Sequence, residues 1–521
     1  MPLSPCPTVR TGDRSPARLL AVTLLLAVFS TTMLPAIALA QPLDRRIKAL
    51  IADAKLGVDA RVGVSVTDVR TGERLIAIDA DDSFIPASNQ KLLTTGAALA
   101  VLRPEFAFRT ELILSTDGRL VIKGSGDPAL ADPEILRRAE PPLTVESLLT
   151  ALAGAVTRIA PDGIGEIVVD DRVFDRQWSH PMWPAEQLHK HYACQVAGLN
   201  FHANVLSFFA APGRSPGSAA RFTLEPDASW IRREVIVRAR TVGSGRNTPW
   251  VARHPTEDRF TLMGNVRLPS QVAARVALHE SALLAGRLLA DRLEAMDLQV
   301  GPTRGRIDGV RLATPNEPLM QGQTIAVITT PIADVLERTN EDSVNLYAEA
   351  LLKRLGHEVT GEPGSWDNGA SIMRMVVSER LGPYAASGIS ISDGSGLSRG
   401  NSVTPAIMTD WLANLARDPE LSQPFLDSMP TIGVGTLRNR FRTVDVESRV
   451  LAKSGTINGV RCLSGYLIDD ASGRTLAFSI LVNDLPLAGG AGVNALRLHE
   501  RIVAAIDDTV FASSRETALG G

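Results

Sequence analysis

The chain has 521 residues, 45% hydrophobic and 21% charged, with a formal net charge of −3. This is globular composition with enough length for two or more cores, which excludes disorder as the default. The mildly acidic balance argues against nucleic acid as a partner.

The N-terminal segment differs from the rest. Arg10, Arg14 and Arg18 precede the apolar run LLAVTLLLAVF, and AIALA follows before Gln41. This is the pattern of a secretory signal cleaved after Ala40, so the expected location is the periplasm. An uncleaved membrane anchor is the alternative, because apolar character continues from Leu19 to Ala40, long enough to span a bilayer. Pro35 and the small residues Ala38 and Ala40 favour the peptidase site. Cys6 leaves with this segment. Cys194 and Cys462 remain, far apart and without metal-ligand spacing, and are expected to be buried free thiols rather than a disulfide.

A polar helix is expected over LDRRIKALIADAKL. In the stretch RVGVSVTDVRTGERLIAIDA, Val62, Val64 and Val66 alternate with small or polar residues before an Arg-Thr-Gly-Glu turn, which is a hairpin pattern. The next segment, PASNQKLLTT, opens a helix whose buried stripe is Leu92, Leu93, Gly96, Ala97 and Ala100. Ser88 falls at its first turn, where it could cap the helix. Lys91, three residues on, shares its face. A lysine so close to the positive end of a helix is unfavourable. If it is also partly desolvated near another cation, its amine becomes a neutral base able to activate the Ser88 hydroxyl.

Residues 111–321 carry short β-rich runs, ELILSTDGRLVIKG, GEIVVDD and REVIVRARTVG, with one clear helix over HESALLAGRLLADRLEAMDL. The economical reading is an inserted region, possibly of two subdomains, within a domain built from 41–110 and 322–521. Beyond it, ERTNEDSVNLYAEALLKRL places Ser343 and Asn345 at the head of a helix. SRVLAKSGTINGVRCLSGYL then places Lys453, Ser454, Gly455 and Thr456 on a strand. The last segments read as strand, turn and strand over GVRCLSGYLIDDASGRTLAFSILVND, then a helix with Leu496, Ile502, Ala505 and Ile506 on one side.

The order SxxK, SxN, KSG matches the SxxK, SDN and KTG set of class A β-lactamases and penicillin-binding proteins, with Val344 in the middle of SxN and Ser454 in place of threonine. The chain therefore resembles the penicillin-recognising serine enzymes. More narrowly it resembles the D-alanyl-D-alanine carboxypeptidase and endopeptidase family of the penicillin-binding protein 4 type, peptidase family S13. GSGDPAL, VVDDRVFD, GLNFHANVLSFFAAP, SVNLYAEALLK and ISDGSGLSRGNSVTP carry this narrower likeness, as does the long interval between Ser88 and Ser343.

The resemblance implies an α+β fold, with an antiparallel catalytic sheet flanked by helices and a β-rich insert. It implies attack by Ser88 on a D-alanyl-D-alanine bond of peptidoglycan stem peptides, with Lys91 as base. The N–H groups of Ser88 and Thr456 would form the oxyanion hole. Ser343 would relay a proton to the leaving amine, Asn345 would orient Lys91 and bind the acyl-side amide, and Lys453 would polarise Ser343. Ser454 and Thr456, on the KSG segment with Gly455, would receive the terminal carboxylate. β-Lactam antibiotics would be covalent inhibitors. Peripheral membrane association is a further expectation. A β-lactamase and a non-catalytic wall-binding protein are the alternatives, distinguished by drug turnover and by failure of penicillin to label Ser88.

Arg399 in DGSGLSRG either contacts substrate or ties down its glycine-rich turn, and Asp393 reads as a turn former. His180, His189 and His191 lack the Cys, Asp or Glu pattern of a zinc site, and KGSGDP lacks the phosphate-loop pattern. No metal and no cofactor are expected.

Overall fold

The computed structural model describes residues 34–301, 309–318 and 321–511, with side chains from residue 43 onward. The expected signal segment lies outside the described residues up to position 33, and the helix Leu34–Asp53 runs through the expected cleavage point at Ala40. Among the described residues, no helix is long and apolar enough to cross a membrane.

A five-stranded antiparallel sheet organises the site. Its order is Arg449–Ile457, Val460–Asp469, Arg474–Asn483, Arg61–Asp68, Arg74–Ile78, so the two ends of the chain meet in one sheet. The alternation of Val62, Val64 and Val66 puts one face against the terminal helices Leu34–Asp53 and Ala491–Val510, in a core that includes Ile47, Phe478, Ile502 and Ile506. The period of two sends the intervening residues to the opposite face. There Tyr466 and Leu481 pack with Leu92, Leu351 and Trp411 of a helical layer. Burying each such side chain contributes about 1.5–3 kcal/mol.

A second five-stranded sheet, mixed in direction, has the order Val310–Leu312, Ile167–Asp170, Leu120–Lys123, Ala107–Ser115, Gly322–Pro331. Helices Val145–Ile159 and Leu284–Ala295 cover it in a separate core. The first of these strands in sequence, Ala107–Ser115, crosses the boundary expected at 110/111, and the last, Gly322–Pro331, begins at the boundary expected at 321/322. Gly322–Pro331 pairs with Ala107–Ser115 over most of its length rather than joining the first sheet. The run REVIVRARTVG also differs from expectation. Its first residues close the helix Ser229–Glu234, and only Ile236–Val237 and Arg240–Thr241 form short strands, where neighbouring backbone offers parallel partners.

Buried polar contacts tie the two regions together at the helix Asn345–Thr360. Asp132 accepts from Tyr347 Oη at 2.6 Å and from Arg338 Nη2 at 2.9 Å. Lys353, fully buried, donates to Asp175 at 2.6 Å and lies 3.9 Å from the Trp366 ring centroid. Cys194 and Cys462 are both free and buried, and burial pushes each thiol up to about 12.

Candidate active site

Ser88 lies in the short 3-10 turn Ala87–Asn89 that leads into the helix Gln90–Leu102. It does not cap that helix, whose N-cap is Asn89 with no side-chain cap bond. Ala87 has φ +45°, left-handed for a residue with a Cβ. Two glycines hold the turn in place. A Cβ on Gly396, itself at φ +82°, would come within 1.8 Å of the Ala87 carbonyl oxygen. A Cβ on Gly455 would meet the backbone N of Ser88 at 3.0 Å. The glycine of KSG therefore lets the edge strand approach the serine turn.

Lys91 is fully buried. Its Nζ lies 3.2 Å from Ser88 Oγ, 2.7 Å from Asn345 Oδ1 and 2.9 Å from the carbonyl oxygen of Ser395. Burial pulls its pKa from 10.5 down to about 8, against the opposing pull of Glu349 and Asp393. Asn345 is the first residue of the helix Asn345–Thr360, and its Nδ2 donates to the Tyr192 carbonyl at 2.8 Å. The chain enters this helix through Ser343 at φ +61°, while Val344 packs against the helical core. Lys453 Nζ donates to Ser343 Oγ at 2.9 Å and to the Ser454 carbonyl at 2.8 Å. Burial, and then the nearby Lys91 charge, push Lys453 well below the usual lysine range, with Asp342 opposing.

The strand Arg449–Ile457 is a sheet edge. Ala452 N–H donates away from the sheet to the Pro430 carbonyl. Alternation along an antiparallel strand then puts the N–H of Ser454 and Thr456 on the same open edge. Ser454 is half-buried and Thr456 exposed. Thr456 forms a wall of a cleft of about 530 Å³ that also contains Ser88, Asn345, Arg399 and Arg461. Arg399 Nη1 donates to the Asn458 carbonyl at 2.8 Å, so it ties its turn to the strand hairpin and lines the cleft at once. Asp393 forms the turn before it, buried and accepting from Trp183 Nε1, Asn401 Nδ2 and the N–H groups of Gly396 and Ser398.

Of the nine sequence-selected residues, Ser88, Asn345, Arg399 and Thr456 line one cleft, Lys91 reaches Ser88 and Asn345 from behind it, Gly455 abuts the Ser88 backbone, and Lys453 pairs with Ser343 beside Ser454. The three histidines do not converge. His180 packs edge-on against Trp366 and His191 against Tyr192, and His189 lies near Lys190 and Arg253. Sequence reasoning missed Ser395, which contributes only a carbonyl, and Gln187 and Tyr192, which stand in the cleft wall. It also missed Glu349, although its spacing of four from Asn345 puts a carboxylate on the same helix face, a legible signal.

An α+β fold that builds two hydrogen-bonded serine–lysine pairs, Ser88 with Lys91 and Ser343 with Lys453, beside one sheet edge defines a serine hydrolase of the D,D-peptidase and β-lactamase fold class. The chain belongs to the D-Ala-D-Ala carboxypeptidase 3 (S13) family, which matches residues 43–499. It is 32% identical to a D-alanyl-D-alanine carboxypeptidase of Actinomadura sp. (strain R39), over 91% of this chain and 88% of that protein. It is 23% identical to the D-alanyl-D-alanine carboxypeptidase DacB of Haemophilus influenzae, over 82% of this chain and 86% of the other. In fold it is similar to the crystal structure of penicillin binding protein 4 from Haemophilus influenzae, with a TM-score of 0.68 at 20% identity, covering 88% of this chain and 99% of that one. That protein has also been solved in complex with a β-lactam. The chain is accordingly a serine D-Ala-D-Ala carboxypeptidase, a hydrolase acting on peptidoglycan.

Proposed function

We propose that Ser88 is the nucleophile and Lys91 its general base, and that penicillins acylate the same oxygen. The partners of Lys91 carry this reading. The Asn345 and Ser395 oxygens accept hydrogen bonds and cannot donate. A neutral amine has two hydrogens and one lone pair. With both hydrogens committed to those oxygens, the lone pair falls to the third neighbour, the Ser88 hydroxyl 3.2 Å away.

Attack on the D-alanyl carbonyl then forms the Ser88 ester, with the N–H groups of Ser88 and Thr456 as donors to the oxyanion. Once Lys91 takes the Ser88 proton, its new charge disfavours a proton on Lys453. Ser343, hydrogen-bonded to Lys453, passes its proton to the leaving amine as the C–N bond breaks, and is reprotonated from the lysine pair. D-Alanine leaves, and water hydrolyses the ester. The substrate's terminal carboxylate is received by Ser454 and Thr456. Arg399 lends positive potential in a cleft with no acidic residue among its described lining. Asn345 exchanges its bond to the Tyr192 carbonyl for one to the substrate amide.

The wider reading is a catalytic unit of residues 41–110 and 322–521 around the insert 111–321, with the paired strands Ala107–Ser115 and Gly322–Pro331 as the hinge between them. It places the enzyme in the periplasm, with peripheral contact to the membrane, where cross-linked stem peptides are also within its reach.

Purified muropeptides analysed by mass test the activity. Free D-alanine is the expected product, and monomers from cross-linked dimers mark endopeptidase action. Unchanged substrate with a folded wild type, or products that persist in Ser88→Ala, would count against the reading. The pH profile is a second test. The reactive form is the neutral amine, so kcat/KM should rise with pH up to the Lys91 value of about 8, changing about tenfold per pH unit below it. A flat profile between pH 6 and 8 would remove Lys91 as the base.

A further inference from the structure

We propose that Glu349 is a positioning residue for Lys91, acting through the Gly394–Ser395 segment, and that its negative charge sets the pH at which Lys91 becomes a base. This rests on the reading of Lys91 as the base and goes beyond it to what controls that base.

Glu349 is fully buried one helical turn beyond Asn345. Its Oε2 accepts from Gly394 N–H at 2.9 Å and from Trp366 Nε1 at 2.8 Å, and its Oε1 accepts from Ser395 N–H at 2.9 Å. The carbonyl of the same Ser395 receives Lys91 Nζ. The carboxylate therefore does not touch the amine. It fixes the residue whose carbonyl takes one of the amine's hydrogens, and so helps aim the lone pair. The loop lies flat against the helix, since a Cβ on Gly394 would come within 2.5 Å of the Ala348 carbonyl oxygen. This closeness lets two successive N–H groups reach one carboxylate.

The charge acts alongside the geometry. Lys91 is faced by Glu349 and Asp393, which favour its ammonium, and by Lys453, which its own charge pushes toward the neutral form. Glu349 itself is faced by Asp393 from the loop, Lys91 from its helix, Lys353 from its own helix and the Cys194 thiol from the insert. Burial, and then Asp393, raise Glu349 to about 7, while its three N–H donors favour the charged form. Asp393 is already saturated by four donors of its own, so Glu349 is the carboxylate whose partners lead to Lys91.

The test compares pH profiles of kcat/KM for D-alanine release in three variants of the full enzyme. Glu349→Gln keeps the shape and removes the charge. Its acid limb should move down by about one pH unit, because the ammonium has lost a stabilising neighbour, and its plateau should fall about tenfold or more as the loop loosens. Glu349→Asp keeps the charge on a shorter arm, so its plateau should fall while its limb stays at the wild-type position. Trp366→Phe takes one donor from the carboxylate, so its limb should move in the same direction as in Glu349→Gln, by less. A Gln variant whose limb stays with that of the Asp variant, or moves upward, overturns the proposal. Where Glu349→Gln does not fold, an unmoved limb in Trp366→Phe does so. Failure of Lys91 as the base would show in the wild-type profile, whereas failure of this inference shows only among the variants.

Discussion

Lys91→Met should lower the rate of penicillin acylation, and kcat/KM for D-alanine release, by about 10³-fold or more, with little change in melting temperature. Methionine has the length of the lysine stem and no proton acceptor, so Ser88 keeps its place and loses its base. The neutral effect on stability comes from two opposing terms. Burial lowers Lys91 from 10.5 to about 8. Between those values the folded chain binds fewer protons than the unfolded chain, so this residue's contribution to stability rises with pH across that window. Below it the buried ammonium costs about 3 kcal/mol. Methionine removes that cost but leaves the Asn345 and Ser395 oxygens without a donor, at about 1–3 kcal/mol each. Stopped-flow labelling with a fluorescent penicillin, beside thermal denaturation, checks both. Acylation within tenfold of wild type would remove Lys91 from the chemistry.

Gly396→Ala should disable the enzyme from a residue that contributes no functional group. The new Cβ would stand 1.8 Å from the Ala87 carbonyl oxygen, at a backbone φ of +82°. Backbone on both sides cannot yield as a flexible side chain would. The left-handed conformation costs an alanine about 1–2 kcal/mol, and relief of the overlap must displace the Ser88 turn. We expect a total loss above about 4 kcal/mol, in the exceptional class for point substitutions, together with loss of penicillin labelling. Gly361→Ala is the matched control. Gly361 has φ +71° at the end of the helix Asn345–Thr360, and a Cβ added there would meet nothing within 4 Å. It should lose only about 1 kcal/mol and keep full labelling. Similar behaviour of the two variants would show that the clamp on Ala87 is not what holds the serine turn.

These variants separate what local sequence specifies from what the fold adds. Ser88 and Lys91 are one turn apart on a single segment, and the apolar stripe behind them reads directly as a helix, so their proximity is legible. The terminal strands are legible for the same reason, because alternating valines at 62, 64 and 66 report one buried face. The run REVIVRARTVG misleads because its β-branched residues are strand formers, yet Arg232, Arg233 and Glu234 complete a helical turn and leave only short pairings behind them. The strand Gly322–Pro331 is legible as a strand but not its pairing, because its partner, Ala107–Ser115, lies far away in sequence. No local pattern names a distant partner.

By itself the sequence determined the three motif segments, their order, the residue types that can serve as nucleophile, base and relay, and the alternation that builds the central sheet. Those properties are local, set by side-chain chemistry and by periods of two and 3.6 residues. Only the tertiary structure decided that Ser395 presents a carbonyl to Lys91, that Glu349 anchors that loop, and that Tyr192, far away in sequence, meets Asn345. Backbone groups are the same in every residue, and burial, which moves Lys91 toward neutrality, exists only once distant segments have excluded water around it.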